Sequence, residues 1–130
     1  MIVVDTSVWI AAQRRPYVDR VLQQLIEADE LAIALPVRLE LWAGVARQDR
    51  KAHRAAFGAL PQLVPTEETW TSLTDWIAKA ADAGERFTVT DLLIASLTSA
   101  IGGLVWSFDK DFERMEKLGF VSLYEPPDVH

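Results

Sequence analysis

Ile2-Val3-Val4-Asp5-Thr6-Ser7 is the stretch that decides the fold. Three β-branched residues in a row, with no polar alternation, have the pattern of a short strand covered on both faces. The run stops at a carboxylate. Two hydroxyl residues follow, natural N-caps for a helix over Val8 to Ala12. A buried strand that feeds directly into a helix is the opening of an α/β unit.

Working outward, Pro16 opens a second helix whose apolar positions Val18, Val21, Leu22, Leu25 and Ile26 fall on one stripe. Leu31 to Leu35 reads as a second strand. Pro36 starts a helix from Val37 to about Ala46, since proline is tolerated in a first turn. Another helix is expected from Arg50 to Ala59, then a weak strand at Leu63-Val64. Thr66 starts a helix carrying Trp70, Leu73, Ile77, Ala80 and Ala81, with Gly84 as its stop. Thr90 caps a helix from Asp91 to about Ile101 that is apolar on most sides and therefore deeply buried. Gly102-Gly103 breaks it before a strand at Leu104 to Trp106. A short helix from Asp109 to Leu118 ends at Gly119, and Val121 to Leu123 is the last strand. Short buried strands alternating with helices predict one three-layer α/β domain over residues 1–130, its short, mainly parallel sheet flanked by helices.

Composition agrees with a folded domain. The 130 residues are 50% hydrophobic and include five tryptophans, too apolar for a disordered chain. There is no cysteine, so neither disulfides nor thiolate zinc sites hold the fold. No segment reads as a signal peptide or a membrane span, and the expected location is the cytoplasm. The formal net charge is −6, from 13 basic and 19 acidic residues. That balance argues against nucleic acid as a partner, but net charge hides local distribution. Arg47, Arg50, Lys51 and Arg54 lie close together with Asp49 as the only acid among them, and Arg14, Arg15 and Arg20 form a looser group. These are either solvated helix faces or phosphate contacts. His53 and His130 have no partners at ligand spacing and read as surface residues.

The acids fall in a pattern. In a parallel sheet the ligand site lies at the carboxyl ends of the strands. Asp5 follows the first strand, and Asp109 follows the strand at Leu104 to Trp106. Asp91 sits in a first helical turn, where the dipole favours an anion. Glu40 is one turn into its helix between Leu39 and Leu41. Each acid alone has an ordinary reading as a helix cap or a solvated side chain. Together, four acids from four segments are expected to converge on one crevice. Close carboxylates repel one another, and a hard divalent ion such as Mg²⁺ or Mn²⁺ removes the conflict. Such an ion can hold a phosphodiester, generate a hydroxide and steady the leaving oxygen. The expected reaction is metal-assisted hydrolysis of a phosphate ester. Thr6, Ser7, Thr90 and Ser107 are caps or hydrogen-bond donors to the carboxylates.

In this light the sequence resembles the PIN-domain family, in particular the VapC-type toxins of toxin–antitoxin pairs. The opening Ile2 to Ser7 is similar to the family's hydrophobic run before Asp-Thr-Ser. Leu39-Glu40-Leu41-Trp42-Ala43-Gly44 resembles its second motif, Thr90-Asp91-Leu92-Leu93-Ile94-Ala95 its third, and Ser107-Phe108-Asp109-Lys110-Asp111-Phe112 its fourth. The resemblance covers essentially the whole chain. It implies a Mg²⁺- or Mn²⁺-dependent endoribonuclease with Asp5, Glu40, Asp91 and Asp109 around the metal. Two features depart from the pattern: Ser107 stands where many relatives carry Thr, and the fourth motif holds two acids. Asp109 is favoured as the ligand, with Asp111 as an alternative or an outer partner.

Competing readings are weaker. A haloacid-dehalogenase-type phosphatase needs a second Asp two residues after the first, where this chain has Ser7. A response-regulator receiver wants paired acids near the first strand. A non-catalytic binding module is disfavoured by the presence of all four acids. The expected partners are an RNA substrate, a protein antitoxin and a second copy of the chain. The antitoxin is expected as an amphipathic segment in a groove between the helices Pro16 to Glu27 and Val37 to Ala46, whose Leu41, Trp42 and Val45 exceed what so small a sheet can cover.

Overall fold

In the computed structural model, which describes residues 1–127, the opening apolar run is β1 (Ile2–Val4), the central strand of a five-stranded sheet. The strands β2 (Leu31–Ala34), β3 (Gln62–Leu63), β4 (Leu104–Trp106) and β5 (Ser122–Leu123) complete it in the order β3-β2-β1-β4-β5. Every pairing is parallel, with Ile2 opposite both Leu31 and Leu104. The expectation of a mainly parallel sheet thus becomes a parallel one among the described residues. The helices are α1 (Thr6–Ala12), α2 (Pro16–Glu27), α3 (Leu35–Ala43), α4 (Arg50–Gly58), α5 (Glu67–Asp82), α6 (Val89–Ala100) and α7 (Asp111–Lys117).

The strand pleat sorts the core into two layers. Ile2, Val4, Leu31 and Trp106 point to one face and pack with Val8 of α1 and Val18, Val21, Leu22 and Leu25 of α2. Val3, Ala32, Ala34 and Val105 point to the other and pack with residues of α3, α5, α6 and α7, among them Val37, Leu73, Ile94 and Met115. Val3 and Val4 are both 0% exposed, so the opening run is covered from both sides, and each such side chain contributes about 1.5–3 kcal/mol of burial. Helix α6 is buried continuously from Leu92 to Thr98. The hydroxyl of its most deeply placed polar residue, Thr98, is satisfied by donating from Oγ1 to the carbonyl of Ile94 at 2.7 Å. Gly103 has to be glycine, because a Cβ there would meet the carbonyl oxygen of Met1 at 2.8 Å.

Several expected boundaries shift for local reasons. Helix α1 begins at Thr6 with Asp5 in the N-cap position, and neither Thr6 nor Ser7 caps it. The cap of α6 is Thr88, whose hydroxyl accepts the N–H of Asp91 at 3.1 Å; Thr90 lies inside the first turn, exposed. Helix α3 stops at Ala43 before Gly44, and a single 3-10 turn, Arg47–Asp49, leads into α4. Helix α7 begins two residues later than expected, because Asp109 Oδ1 accepts the Asp111 N–H at 2.9 Å and holds the turn before it. His53 is not a surface residue. It is half-buried on α4, stacked on Phe57 of the same helix at 4.3 Å and close to Trp42 of α3 at 5.8 Å. His130 lies outside the described residues. No described helix is long and apolar enough to cross a membrane.

Candidate active site

From β1 the chain steps to β2 and β3 on one side, then crosses to β4 and β5 on the other. The reversal opens a crevice between the carboxyl ends of β1 and β4, the place where ligands bind in sheets of this kind. Asp5 leaves β1 at this point and Ser107 leaves β4, and the Asp5 N–H donates to the Trp106 carbonyl at 2.9 Å.

Asp5 is 7% exposed. Its Oδ2 accepts two hydrogen bonds of 2.8 Å, from the hydroxyls of Ser7 and Ser107. Each serine oxygen in turn accepts a backbone N–H, Ser7 from Phe108 at 3.1 Å and Ser107 from Asp109 at 3.0 Å. The two serines therefore fix the carboxylate and stitch the start of α1 to the turn after β4. Neither bond uses Oδ1 of Asp5. Thr6 Oγ1, beside it, is buried and has no hydrogen-bond partner, so a donor and acceptor remain for a water or ligand in the cleft.

Asp91, Asp109 and Asp111 each bring a carboxylate oxygen within 4.8 Å of the other two. Burial, and then the negative charge of Asp5, pushes Asp91 up to about 6 from 3.8; the Thr88 hydrogen bond opposes this and the charges of Asp109 and Asp111 add to it. Asp5 thus acts electrostatically on the cluster from beside it. Glu40 does not join it: it is exposed on α3 and lines, with Thr6, a wide cleft of about 900 Å³ bounded by α1, α2, α3 and α4. The donors that do converge are all carboxylate oxygens, which suits a hard divalent cation and not a soft one.

The basic candidates are on the surface. Arg14, Arg15, Arg47, Arg50, Lys51 and Arg54 are all exposed. The guanidinium of Arg15 lies over the ring of Phe108 at 5.2 Å, next to Asp109, and that of Arg54 lies over Trp42 at 4.9 Å. Trp42 is half-buried and lines a separate recess with Arg38 and Arg54, whereas Leu41 and Val45 line the wide cleft.

Three residues near the acids were not singled out from the sequence: Thr88, Glu85 and Arg114. Thr88 is legible in retrospect, a hydroxyl three residues before Asp91. Arg114 pairs with Asp111 at 2.7 Å and with Glu85 at 2.9 Å, and the hydrogen bond to Glu85 is the main reason its guanidinium holds its proton more firmly than usual. Its spacing from Asp111 on one helix face was readable; Glu85, in the loop before α6, was not.

A sequence profile of the PIN domain matches residues 2–118. Ribonuclease VapC18 of Mycobacterium tuberculosis is 31% identical over 117 residues, covering 86% of this chain and 85% of that protein. Among solved structures, VapBC2 from Rickettsia felis, bound to a DNA fragment from its promoter, superposes with a TM-score of 0.77 at 17% identity, over 95% of this chain and 98% of that one. A member of the VapBC family of toxin-antitoxin systems, VapBC-5 from Mycobacterium tuberculosis, gives 0.65 at 25% identity, over 95% and 96%.

Proposed function

The chain belongs to the PIN-domain family, and from that premise and the geometry of its acids we propose that it is a Mg²⁺- or Mn²⁺-dependent endoribonuclease, the toxin of a toxin–antitoxin pair. The observation that carries the proposal is the meeting of Asp91, Asp109 and Asp111 within 4.8 Å at the sheet's switch point, beside Asp5. The name of the relative at 31% identity, a ribonuclease, supports RNA as the substrate. The toxin role draws on the structural likeness to a member of a toxin–antitoxin family.

Asp5, Asp91 and Asp109 are the proposed ligands, with Asp111 beside them. When bound, the cation supplies Lewis acidity toward a phosphodiester oxygen and an attacking water. The chain's own residues do the rest. Ser7 and Ser107 orient Asp5, and Thr88 anchors the turn that presents Asp91. Glu40, which lines the wide cleft with Thr6, is the proposed acceptor of a proton from water once substrate spans the crevice. Arg14, Arg15, Arg47, Arg50, Lys51 and Arg54 are the proposed phosphate contacts. An amphipathic antitoxin segment is the proposed occupant of the apolar cleft lined by Ile10, Leu22, Leu41, Val45 and Phe57. A second copy of the chain is proposed on α5, where Trp70 and Ile77 are 51% and 47% exposed on the same face, two turns apart.

The deciding experiment incubates RNA with the purified chain, with added Mg²⁺ or Mn²⁺ and with excess EDTA, beside Asp5→Asn. Cleavage that survives EDTA or Asp5→Asn rules the proposal out. Light scattering across micromolar concentrations checks the dimer, and a monomer throughout refutes it.

A further inference from the structure

Arg114 stands outside the chemistry proposed above, yet it is tied to it from two directions. Its Nη2 pairs with Oδ1 of Asp111, one turn earlier on α7, at 2.7 Å. Its Nε donates to Oε2 of Glu85, in the loop between α5 and α6, at 2.9 Å. The same guanidinium lies over the ring of Phe87 at 5.3 Å, and Phe87 is 8% exposed and part of the core. A planar guanidinium held through Nε, Nη2 and its face has little freedom left to turn.

The connections matter because of where the acids come from. The cluster is assembled from two segments that are far apart in the chain: α6, which carries Asp91, and the turn into α7, which carries Asp109 and Asp111. Glu85 and Phe87 lie just before Thr88, the residue that caps α6 and holds the Asp91 N–H. Arg114 therefore bridges the approach to α6 and the first turn of α7, and its bond to Asp111 ends on a member of the cluster itself. An ion pair on open surface would contribute little. Here the arginine is 39% exposed and its partners 29% and 31%, but it has two carboxylate partners at once and a ring from the core beneath it.

We propose that Arg114, braced by Glu85 and Phe87, is a positioning residue that sets the spacing between Asp111 and Asp91 and so prepares the acid cluster for a divalent cation. The inference rests on reading that cluster as a metal site. Two consequences of removing Arg114 have opposite sign. As a charge, Arg114 repels a cation, so its loss should tighten binding. As a brace it holds the ligands in place, so its loss should weaken binding. Arg114→Lys separates the two, since lysine keeps the charge but cannot reproduce the paired Nε and Nη2 contacts.

The test is calorimetric titration of the full chain with Mn²⁺ alone, for wild type, Arg114→Ala, Arg114→Lys and Glu85→Gln, with metal-free unfolding temperatures measured in parallel. The expected result is Mn²⁺ affinity lowered about tenfold in both Arg114 variants and by less in Glu85→Gln, the range for residues that orient metal ligands. Arg114→Ala binding as tightly as wild type or more tightly, or Arg114→Lys matching wild type, overturns the proposal. So does a fall in unfolding temperature with unchanged Mn²⁺ affinity, which marks an ordinary structural contact. If Arg114→Ala does not fold, Arg114→Lys and Glu85→Gln carry the test. Absence of Mn²⁺ binding by the wild type itself brings down the metal reading first, and this inference with it.

Discussion

Ser107 Oγ donates to Oδ2 of Asp5 at 2.8 Å across 102 positions of sequence. Through this bond the end of β4 reaches the end of β1, and the central acid of the crevice acquires a fixed direction. Ser7 makes the matching bond from the other side. A carboxylate that is 7% exposed needs such donors, because burial without them is costly.

The first prediction follows from that bond. Ser107→Ala removes a hydroxyl donor to a buried carboxylate, a loss of about 1.5–3 kcal/mol. Urea unfolding of the metal-free protein should show it as a lower midpoint with unchanged slope. Ser107→Thr should restore most of the stability, since it keeps the hydroxyl. Equal stability of Ser107→Ala and wild type would mean that Asp5 is oriented by Ser7 alone.

Asp91 gives a pH prediction. Its folded pKa is raised to about 6 from 3.8, so the folded chain binds this proton more tightly than the unfolded one. The resulting stabilisation is fully present below the unfolded value and is lost as pH rises through the folded value. In EDTA, the stability of wild type relative to Asp91→Asn should therefore fall between about pH 4 and pH 6 and level off above that range. Added Mg²⁺ or Mn²⁺ should restore wild type but not the variant at neutral pH. A wild-type-minus-variant difference that stays flat across this window contradicts the raised pKa.

Much of this molecule was legible in the sequence because its signals are local. A run of Ile2-Val3-Val4 has one interpretation as a strand, and Gly84 and Gly119, at φ values of 76° and 79°, end helices where glycine alone is comfortable. Asp91 and Asp109 were placed from a first helical turn and a strand end and do meet, but Asp111 is the third member of their group and Asp5 lies beside it. What was not legible depends on side chains that meet across the fold. Thr90 looked like the cap of α6 because it adjoins Asp91, but capping acts over three residues and Thr88 took the role. Glu40 looked equivalent to the other acids, yet its place on the cleft side of α3 leaves it apart from the cluster. His53 stacks on Phe57 one turn later on α4, a spacing that was readable, whereas its approach to Trp42 arises only when α3 and α4 pack.

The two acids of the turn into α7 should differ in weight. Asp111 already shares its charge with Arg114 at 2.7 Å, whereas Asp109 accepts only a backbone N–H. Asp109 is thus the freer anion for a cation. Asp109→Asn should reduce RNA cleavage much more than Asp111→Asn, by about tenfold or more between them. Single-turnover rates at saturating Mn²⁺ measure the difference, and the reverse order would exchange the roles of the two acids.

The exposed basic residues give a salt test. An acidic chain that cuts RNA has to concentrate its cations where the phosphates run. Neutralising Arg14 and Arg15 together with Arg47, Arg50 and Lys51 should flatten the dependence of RNA binding on salt, by about 0.7 in log–log slope for each lost contact to a single strand. Filter binding with the inactive Asp5→Asn protein isolates binding from cleavage. An unchanged slope would leave these residues as ordinary solvated surface.

The last prediction concerns the antitoxin, and the structure changes which residue tests it best. Trp42 looked from the sequence like the natural anchor of a groove between α2 and α3. It faces instead a recess on the α4 side, under the Arg54 guanidinium, while Leu41 and Val45 line the wide cleft together with Leu22 of α2. An amphipathic segment laid in that cleft would bury Leu41 and Val45, and a charge at either position would be desolvated against apolar neighbours. Loss of one buried aliphatic contact corresponds to about 1.5–3 kcal/mol, or about 10- to 100-fold in affinity. Leu41→Asp or Val45→Asp should therefore release the antitoxin by at least that factor, while Trp42→Ala should change affinity only slightly. Each variant should still bind Mn²⁺ like wild type, because none of the three residues belongs to the acid cluster. Binding measured against the chain's own antitoxin decides it. A large loss for Trp42→Ala with none for Leu41→Asp would move the partner from the cleft to the outer face of α3 and α4.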